Sequence, residues 1–438
     1  MNSSGEAMAD RASVTKAKDG RGGFFAVDRR AWHMVCNLGL NTAVAYLVAA
    51  RGTGGDNRTT KWSTNAIEQR TNISRSRAKA AIHALEAAGL LHRDPASKPS
   101  FPKYKLVPAH EVPGCEGCRP PALAGEHARV HSALGTDWTE VPKSAASGSA
   151  YARWGSLAPR RTADELVRSG HLEVWTGGRH FRAVRYDAEA AAQPDWIWLP
   201  NALVDGAAQE TPPAEMARQT GNVLVLRLLV NLYGSQTLDE DGGIRFRRIR
   251  QQYARHKVGE RGPFVVWGFV PEQTAAFRDA PFVAPHFAAA NDDVKRTAAW
   301  AEFWKCWNHL LDMGLVEFVA HLVEADTPEG EIIHPVALPG TGLEVERELA
   351  RAATFAAAAL TTPGQQGWAL DQGMRLLVPV ERRKESVQVM GIARLRYRPR
   401  TSRTLAFVAR ETDWREALDR LLEIAAAQEL ATSRRYQG

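Results

Sequence analysis

Cysteine is scarce in this chain: four in 438 residues, with Cys36 and Cys306 isolated, and no secretory signal pattern at the start. So little cysteine excludes a disulfide framework and points to a reducing compartment, the cytoplasm. Long apolar runs are also missing. The longest, residues 352–360, is far short of the roughly 20 residues a membrane helix needs, so no membrane partner is expected. The motifs of common chemistries are absent as well. Residues 52–61 lack the Gly-Lys-Ser/Thr ending that grips nucleotide phosphates, and there is no HExxH, no GxSxG and no H-x-H with a downstream Tyr. Asp239-Glu240-Asp241 runs into two glycines and reads as a turn rather than a metal-binding cluster. The expectation is a protein that is not an enzyme.

What is present is an ordinary globular composition, 44% hydrophobic and 24% charged, with room for about three domains. Residues 1–22 are small, polar and Gly-rich and read as a flexible leader. The net charge of +7 hides a segregation. Residues 51–107, 245–262 and 375–410 carry +7, +6 and +8, so the remainder carries −14. Basic blocks of this kind are the footprint of proteins that neutralise phosphates, although three solvated faces would give the same count.

The first block has a recognisable order. Residues 40–50 (LNTAVAYLVAA) place apolar side chains at helical spacing, and the Gly-rich run from Gly52 stops them. Ser63 suits the cap of a short helix over 64–70. The turn Asn72-Ile73-Ser74 then leads to a helix over 75–88, with Ser74 as cap and Gly89 as stop. Two helices joined so tightly make a helix-turn-helix. On a helical wheel Ala78, Ala81, Ile82 and Leu85 share one face. Ser76, Lys79, Ala80 and His83 share the other, with Arg75 and Arg77 at the N-terminal end. A small residue permits close approach to base edges, Lys or His can hydrogen-bond them, and Arg near the start can take guanine or phosphate.

An amphipathic helix with a solvated basic face has the same periodicity, so the flanks carry weight. Residues 90–93 and 103–107 read as strands around a Pro- and Ser-rich loop with Lys98 at its tip and Lys103 and Lys105 on the return, which is a wing. Arg58, Thr59, Thr60 and Lys61 precede the second helix, where backbone amides and hydroxyls often hold phosphate.

The segment TNAIEQRTNISRSRAKAAIHALEAAGLLHR resembles the winged helix-turn-helix superfamily of bacterial regulators and of plasmid and phage replication initiators. The resemblance spans residues 24–108, a quarter of the chain. It implies a helix from Ser74 to His83 in the major groove of duplex DNA, with Lys98 and Lys103 on the adjacent backbone or minor groove. It also implies a bacterial protein associated with the nucleoid or a plasmid.

A similar passage recurs. Residues 196–200 followed by the apolar run 223–233 parallel residues 24–28 followed by 40–50, and the helix-Gly-Leu-strand step at Leu85 to Leu90 reappears at Leu311 to Leu315. A third trace is residues 166–172, followed by a hairpin with Gly177-Gly178 at its turn. In the second copy residues 244–257 read as an inserted basic helix with Tyr253 among arginines. Residues 300–312, apolar and aromatic all round, read as a buried helix with Lys305 and His309 as its only cations. Beyond residue 343 an Ala-rich helix, strands over 374–380, 387–398 and 404–410, and a closing helix over 414–427 form a last unit. There Arg394, Arg396, Arg398 and Arg400 would share one sheet face, toward phosphates or simply toward water.

Cys115, Cys118, His127 and His131 form C-x2-C-x8-H-x3-H, a candidate structural zinc site of unusually short loop. The fold class expected is helix-rich α+β, with tandem winged helix-turn-helix domains and a C-terminal α/β-sheet domain. The divisions are a leader (1–22), a winged helix-turn-helix domain (23–110) and a linker with the zinc candidate and a helix-hairpin (111–190). A second winged-helix-like domain with a basic insertion (191–340) and a C-terminal domain (341–438) follow. The function expected is sequence-specific binding of double-stranded DNA, as a replication initiator of a mobile element or a transcription regulator, with homodimerisation a further option. A DNA-processing enzyme with scattered carboxylates and a protein-interaction scaffold are the competing classes.

Overall fold

The computed structural model describes residues 23–98, 101–112, 127, 129–130, 134, 139–141, 159–168, 172–174, 180–183, 193–207, 210–239, 242–276, 293–324, 332–338, 340–384, 386–399 and 401–436. The fold is α+β with antiparallel sheets. Strand β1 (Phe24–Asp28) ends at an aspartate whose carboxylate accepts from the Arg30 amide and so starts helix α1 (Arg29–Asn37). Helix α2 (Leu40–Arg51) is apolar on nearly every side and is buried from Thr42 to Ala50, the central post of the first unit. It stops at Gly52, where a Cβ would lie 2.3 Å from the Trp62 ring, so nothing larger than glycine fits.

Strand β2 (Thr59–Thr60), helix α3 (Thr64–Arg70), helix α4 (Arg75–Ala87), strand β3 (Leu91–Arg93) and strand β4 (Tyr104–Leu106) complete that unit. The three strands form one antiparallel sheet in the order β2-β4-β3. Ser63 and Ser74 occupy the N-cap positions of α3 and α4, but neither side chain makes the capping hydrogen bond. Helix α4 ends at Gly89 in the left-handed region, φ +69°, and the Leu90 amide reaches back to the Leu85 carbonyl at 3.0 Å.

A small sheet follows. Strand β5 (Thr139–Glu140), helix α5 (Pro159–Arg168), strand β6 (Leu172–Val174) and strand β7 (His180–Ala183) give the order β5-β7-β6.

Strand β8 (Trp196–Pro200) pairs antiparallel with β1, Ala26 opposite Trp198. The two strands that looked like repeats are therefore each other's partners, and the pairing places a local two-fold between two units. Helices α6 (Ala202–Asp205), α7 (Pro213–Gln219) and α8 (Val223–Tyr233) come next, α8 ending at Gly234 as α2 ends at Gly52. Both units share one core, in which Leu47 and Val44 of α2 lie with Leu226 and Leu229 of α8.

Strands β9 (Gln236–Thr237), β10 (Gly243–Ile244), β11 (Ile249–Arg261) and β12 (Phe264–Ala276) lead to helix α9 (Asp293–Asp312) and strand β13 (Val316–Glu324). The end of α9 copies the end of α4: Gly314 has φ +64°, and the Leu315 amide reaches the Leu310 carbonyl at 2.9 Å. Shifted by the 225 residues between the two glycines, buried Ala78, Ala81, Ile82 and Leu85 become buried Phe303, Cys306, Trp307 and Leu310.

Three expectations need correction here. Residues 249–257 are not a basic helix but strand β11, in a long hairpin with β12 and paired with the later strand β16 through Arg250, Gln251 and Gln252. Partners distant in sequence override the local pattern. Nor does a domain boundary fall at residue 340. After strand β14 (Ile332–Pro335), helix α10 (Glu344–Leu360), helix α11 (Pro363–Asp371) and strand β15 (Leu376–Glu381), strand β16 (Val387–Leu395) inserts between β13 and β11. One eight-stranded sheet, with its longest run β14-β13-β16-β11-β12-β15, spans the expected boundary. Residues 402–409 form helix α12 (Ser402–Ala409) instead of a strand, and helix α13 (Glu411–Tyr436) closes the chain. No described helix is long and apolar enough to cross a membrane.

The arginine stripe is also reassigned. Arg394 is fully buried, its Nη1 donating to both Glu346 oxygens at 2.6 and 2.7 Å and its Nη2 to His321 Nε2 at 2.8 Å. Strand β16 ends before Arg396, which pairs with Glu210. Burial and the nearby Arg394 charge push Arg398 down to about 10. Of the row, Arg394 is interior, Arg396 is an exposed partner of Glu210, Arg398 is partly buried, and Arg400 lies outside the described residues, so the expected shared sheet face does not form among the described three.

Because His321 Nε2 accepts from arginine, its Nδ1 carries the proton donated to the Val319 carbonyl at 2.7 Å. Burial, then the Arg394 charge, hold its pKa well below the usual imidazole value, and burial lowers His334 as well. A histidine with a depressed folded pKa leaves stability intact above the unfolded value of about 6.5. It removes about 1.4 kcal/mol for each pH unit below that value, because the unfolded chain takes the proton first. Urea midpoints should therefore fall between pH 7 and pH 5.5, and His321→Gln should flatten the slope. An equally steep profile in that variant would contradict the assignment.

Candidate nucleic-acid interface

Helix α4 turns its small apolar residues inward and leaves Ser74, Arg75, Ser76, Arg77, Lys79, Ala80 and His83 exposed. The 3.6-residue period does this, and Ile73, buried in the preceding turn, fixes the angle between α3 and α4. Ser74 Oγ lies 3.4 Å from Ser76 Oγ, and Arg75 stands 3.6 Å from Glu68 across the turn. No hydrogen bond or ion pair joins Arg77, Lys79 or His83 to another described residue, so these three side chains face solvent.

The sheet beside α4 adds a second set. Across β2-β4-β3, Thr59, Lys105 and His92 stand in one register row, and all three are exposed. Thr60 and Tyr104, one position along, are buried. Alternation along the strands thus divides a core face from a cationic face. Arg93, Lys98 and Lys103 are exposed around the connection from β3 to β4. The Asp94 carboxylate holds that turn by accepting from the Ala96 amide at 2.9 Å, while the Asp94 amide donates to the Lys103 carbonyl at 2.9 Å. His92 and Arg93 are not singled out by the sequence reading; the period-two alternation that exposes Lys105 also places His92, whereas Arg93 sits opposite buried Tyr104 and is exposed at the end of β3.

The group before α3 divides. Lys61 and Thr59 are exposed, but the Thr60 hydroxyl is buried and accepts from the Trp62 amide at 3.0 Å. Arg58 is ion-paired with Glu111, and this hydrogen bond holds the Glu111 carboxyl below the usual range. Arg58 braces the end of the sheet, and Thr60 cannot reach a phosphate. The backbone amides of Arg58 and Thr59 are likewise spent on the Asp56 carboxylate. Arg51 and Arg70 both reach Asp205 of α6, at 2.8 and 3.1 Å, with Arg70 3.7 Å above the Trp62 ring, which ties the first unit to the second.

The second unit is less closed than its sequence suggests. Ala301, Lys305, Asn308 and Asp312 form an exposed face along α9, opposite buried Phe303, Cys306, Trp307 and Leu310. The aromatic residues collect on one side, Phe303 stacking on Trp307 at 6.2 Å and packing edge-on to Trp300 and Trp304. Of the zinc candidates, Cys115, Cys118 and His131 lie outside the described residues, and only His127 falls within them. Comparison with protein-family models, with curated proteins and with solved structures finds no match to the chain.

Proposed function

We propose that the chain is a sequence-specific duplex DNA-binding protein of tandem winged-helix build, which acts as a replication initiator of a plasmid, phage or integrative element. The observation that carries the reading is the face of α4. It offers Ser76, Lys79, Ala80 and His83 together, beside a sheet that presents Thr59, Lys105 and His92 and a turn that presents Lys98 and Lys103. A helix fits the major groove, about 12 Å wide, and small residues between cations allow donors to reach base edges. Lys103, Lys105 and Lys61 then lie where the flanking backbone passes, a position that fixes register without reading sequence. The initiator role rests on the two linked units, which can engage successive grooves of an iterated site from one chain.

Selection of bound sequences from a random duplex pool tests the reading: one enriched motif is expected, and no enrichment would overturn it. The combined Lys79→Ala and His83→Ala change should weaken the selected site by roughly 1–3 kcal/mol and relax preference at one or two positions. Arg75→Ala and Lys103→Ala should instead weaken binding on every sequence and lower the salt slope by about one each. Replication of a reporter plasmid carrying the selected site checks the process, and repression of a promoter without replication would move the protein to the regulators.

A further inference from the structure

The small sheet that follows the first unit in the chain, with its one described helix, repeats the last helix and the sheet of that unit. Its strand order, β5-β7-β6, is the order β2-β4-β3, with the helix immediately before β6 as α4 is before β3. Sliding the chain by 81 residues lays Leu85, Gly89 and Leu91 on Leu166, Gly170 and Leu172. The buried positions Ala81, Ile82 and Leu85 of α4 become Thr162, Ala163 and Leu166 of α5, all buried.

The strands agree in the same way. Leu106 faces Leu91 across β4 and β3, and Ala183 faces Leu172 across β7 and β6. That register sets Phe181, buried, on Tyr104, buried. Thr60 lies opposite Tyr104, and Thr139 lies opposite Phe181.

With core positions matched, the solvent positions can be compared. Lys79 and Ala80 correspond to Arg160 and Arg161 of α5, Lys103 corresponds to His180, and Lys105 corresponds to Arg182. Basic residue types thus stand at both the helix face and the returning strand of the small sheet, as they do in the first unit. Arg161 and His180 are exposed. Arg160 lies over the Phe181 ring at 5.0 Å and 3.5 Å from Asp164, so its guanidinium is held along the helix face. Asp164 takes the place of His83, which removes a base-reading donor and adds a negative charge. The donor at the His83 position is therefore lost, a second arginine stands where α4 has Ala80, and the strand positions of Lys103 and Lys105 keep basic residue types, a set suited to phosphate contact rather than base reading.

We infer that helix α5 with strands β5, β6 and β7 forms a third unit of the first unit's build, which grips the phosphate backbone of duplex DNA through Arg160 and Arg161 without reading its sequence. This inference rests on the duplex-binding reading of α4. The protected DNA should accordingly exceed what two units cover, with one segment indifferent to base sequence.

The test uses the full chain on its selected site, comparing the wild type with Arg161→Ala, Arg161→Glu and the combined Arg160→Ala and Arg161→Ala change. Each variant's thermal unfolding is recorded first. Hydroxyl-radical footprints should shorten at one end only, affinity should fall about tenfold for Arg161→Glu, and the salt slope should drop by about one per cation removed. Base preference at the positions sensitive to Lys79 and His83 should not change. Folded Arg161→Glu protein with an unaltered footprint, affinity and salt slope would overturn the third contact while leaving the α4 reading intact. A wild-type protein that protects no DNA would overturn the α4 reading itself.

Discussion

Glu346→Ala should destabilise the eight-stranded sheet and the helices on it by about 3–5 kcal/mol. Glu346 and Arg394 are both wholly inaccessible to solvent, and the carboxylate accepts two hydrogen bonds from one guanidinium nitrogen. The same carboxylate accepts from the Leu343 amide at 2.7 Å, so it also caps α10. Its loss strands a charged guanidinium in a site where His321 Nε2 is its remaining side-chain acceptor among the described residues. Breaking a buried pair is costly because one uncompensated charge remains, whereas replacing both partners with apolar groups is often near neutral. The double change Glu346→Leu with Arg394→Met should therefore recover most of the loss. Urea unfolding measures both, and a single variant within about 0.5 kcal/mol of the parent would refute the account.

Asp28→Ala should cost about 3 kcal/mol or more, far beyond an ordinary helix cap. The buried carboxylate accepts from the Arg30 amide at 3.1 Å, the Ala109 amide at 2.8 Å and the Asp195 amide at 3.3 Å. These donors belong to the start of α1, to the segment leaving β4 and to the segment entering β8. Removing the acceptor leaves buried amides unsatisfied, at about 1–3 kcal/mol each. Asp28→Asn keeps one acceptor oxygen and should fall between the two. Thermal unfolding followed by near-ultraviolet circular dichroism at Trp32, buried beside this site, reports the change. A loss near 1 kcal/mol would reduce Asp28 to a simple cap.

The parts of the fold legible in the sequence are those whose information is local. The outward set Ser76, Lys79, Ala80 and His83 follows from helical period alone, and Gly89 announces the end of α4 because the left-handed turn there suits glycine. Residues 249–257 were misread because Ile249, Tyr253 and Val258 are spaced in a way that suits either structure, and what decides is pairing with β12 and with β16, more than 100 residues later. Arg394 was misread because arginine is ordinarily exposed, and its two partners lie 48 and 73 residues away. Thr60 and Arg58 sit in a polar tetrapeptide that looks uniform in sequence, yet strand alternation buries one and Glu111 occupies the other.

The pairing of β1 with β8 has one more consequence. A two-fold contact between separate chains loosens on dilution, since each half must find the other. Here the halves are tethered, so their meeting is a first-order event, and the separation between the outward faces of α4 and α9 is the same at nanomolar as at millimolar protein.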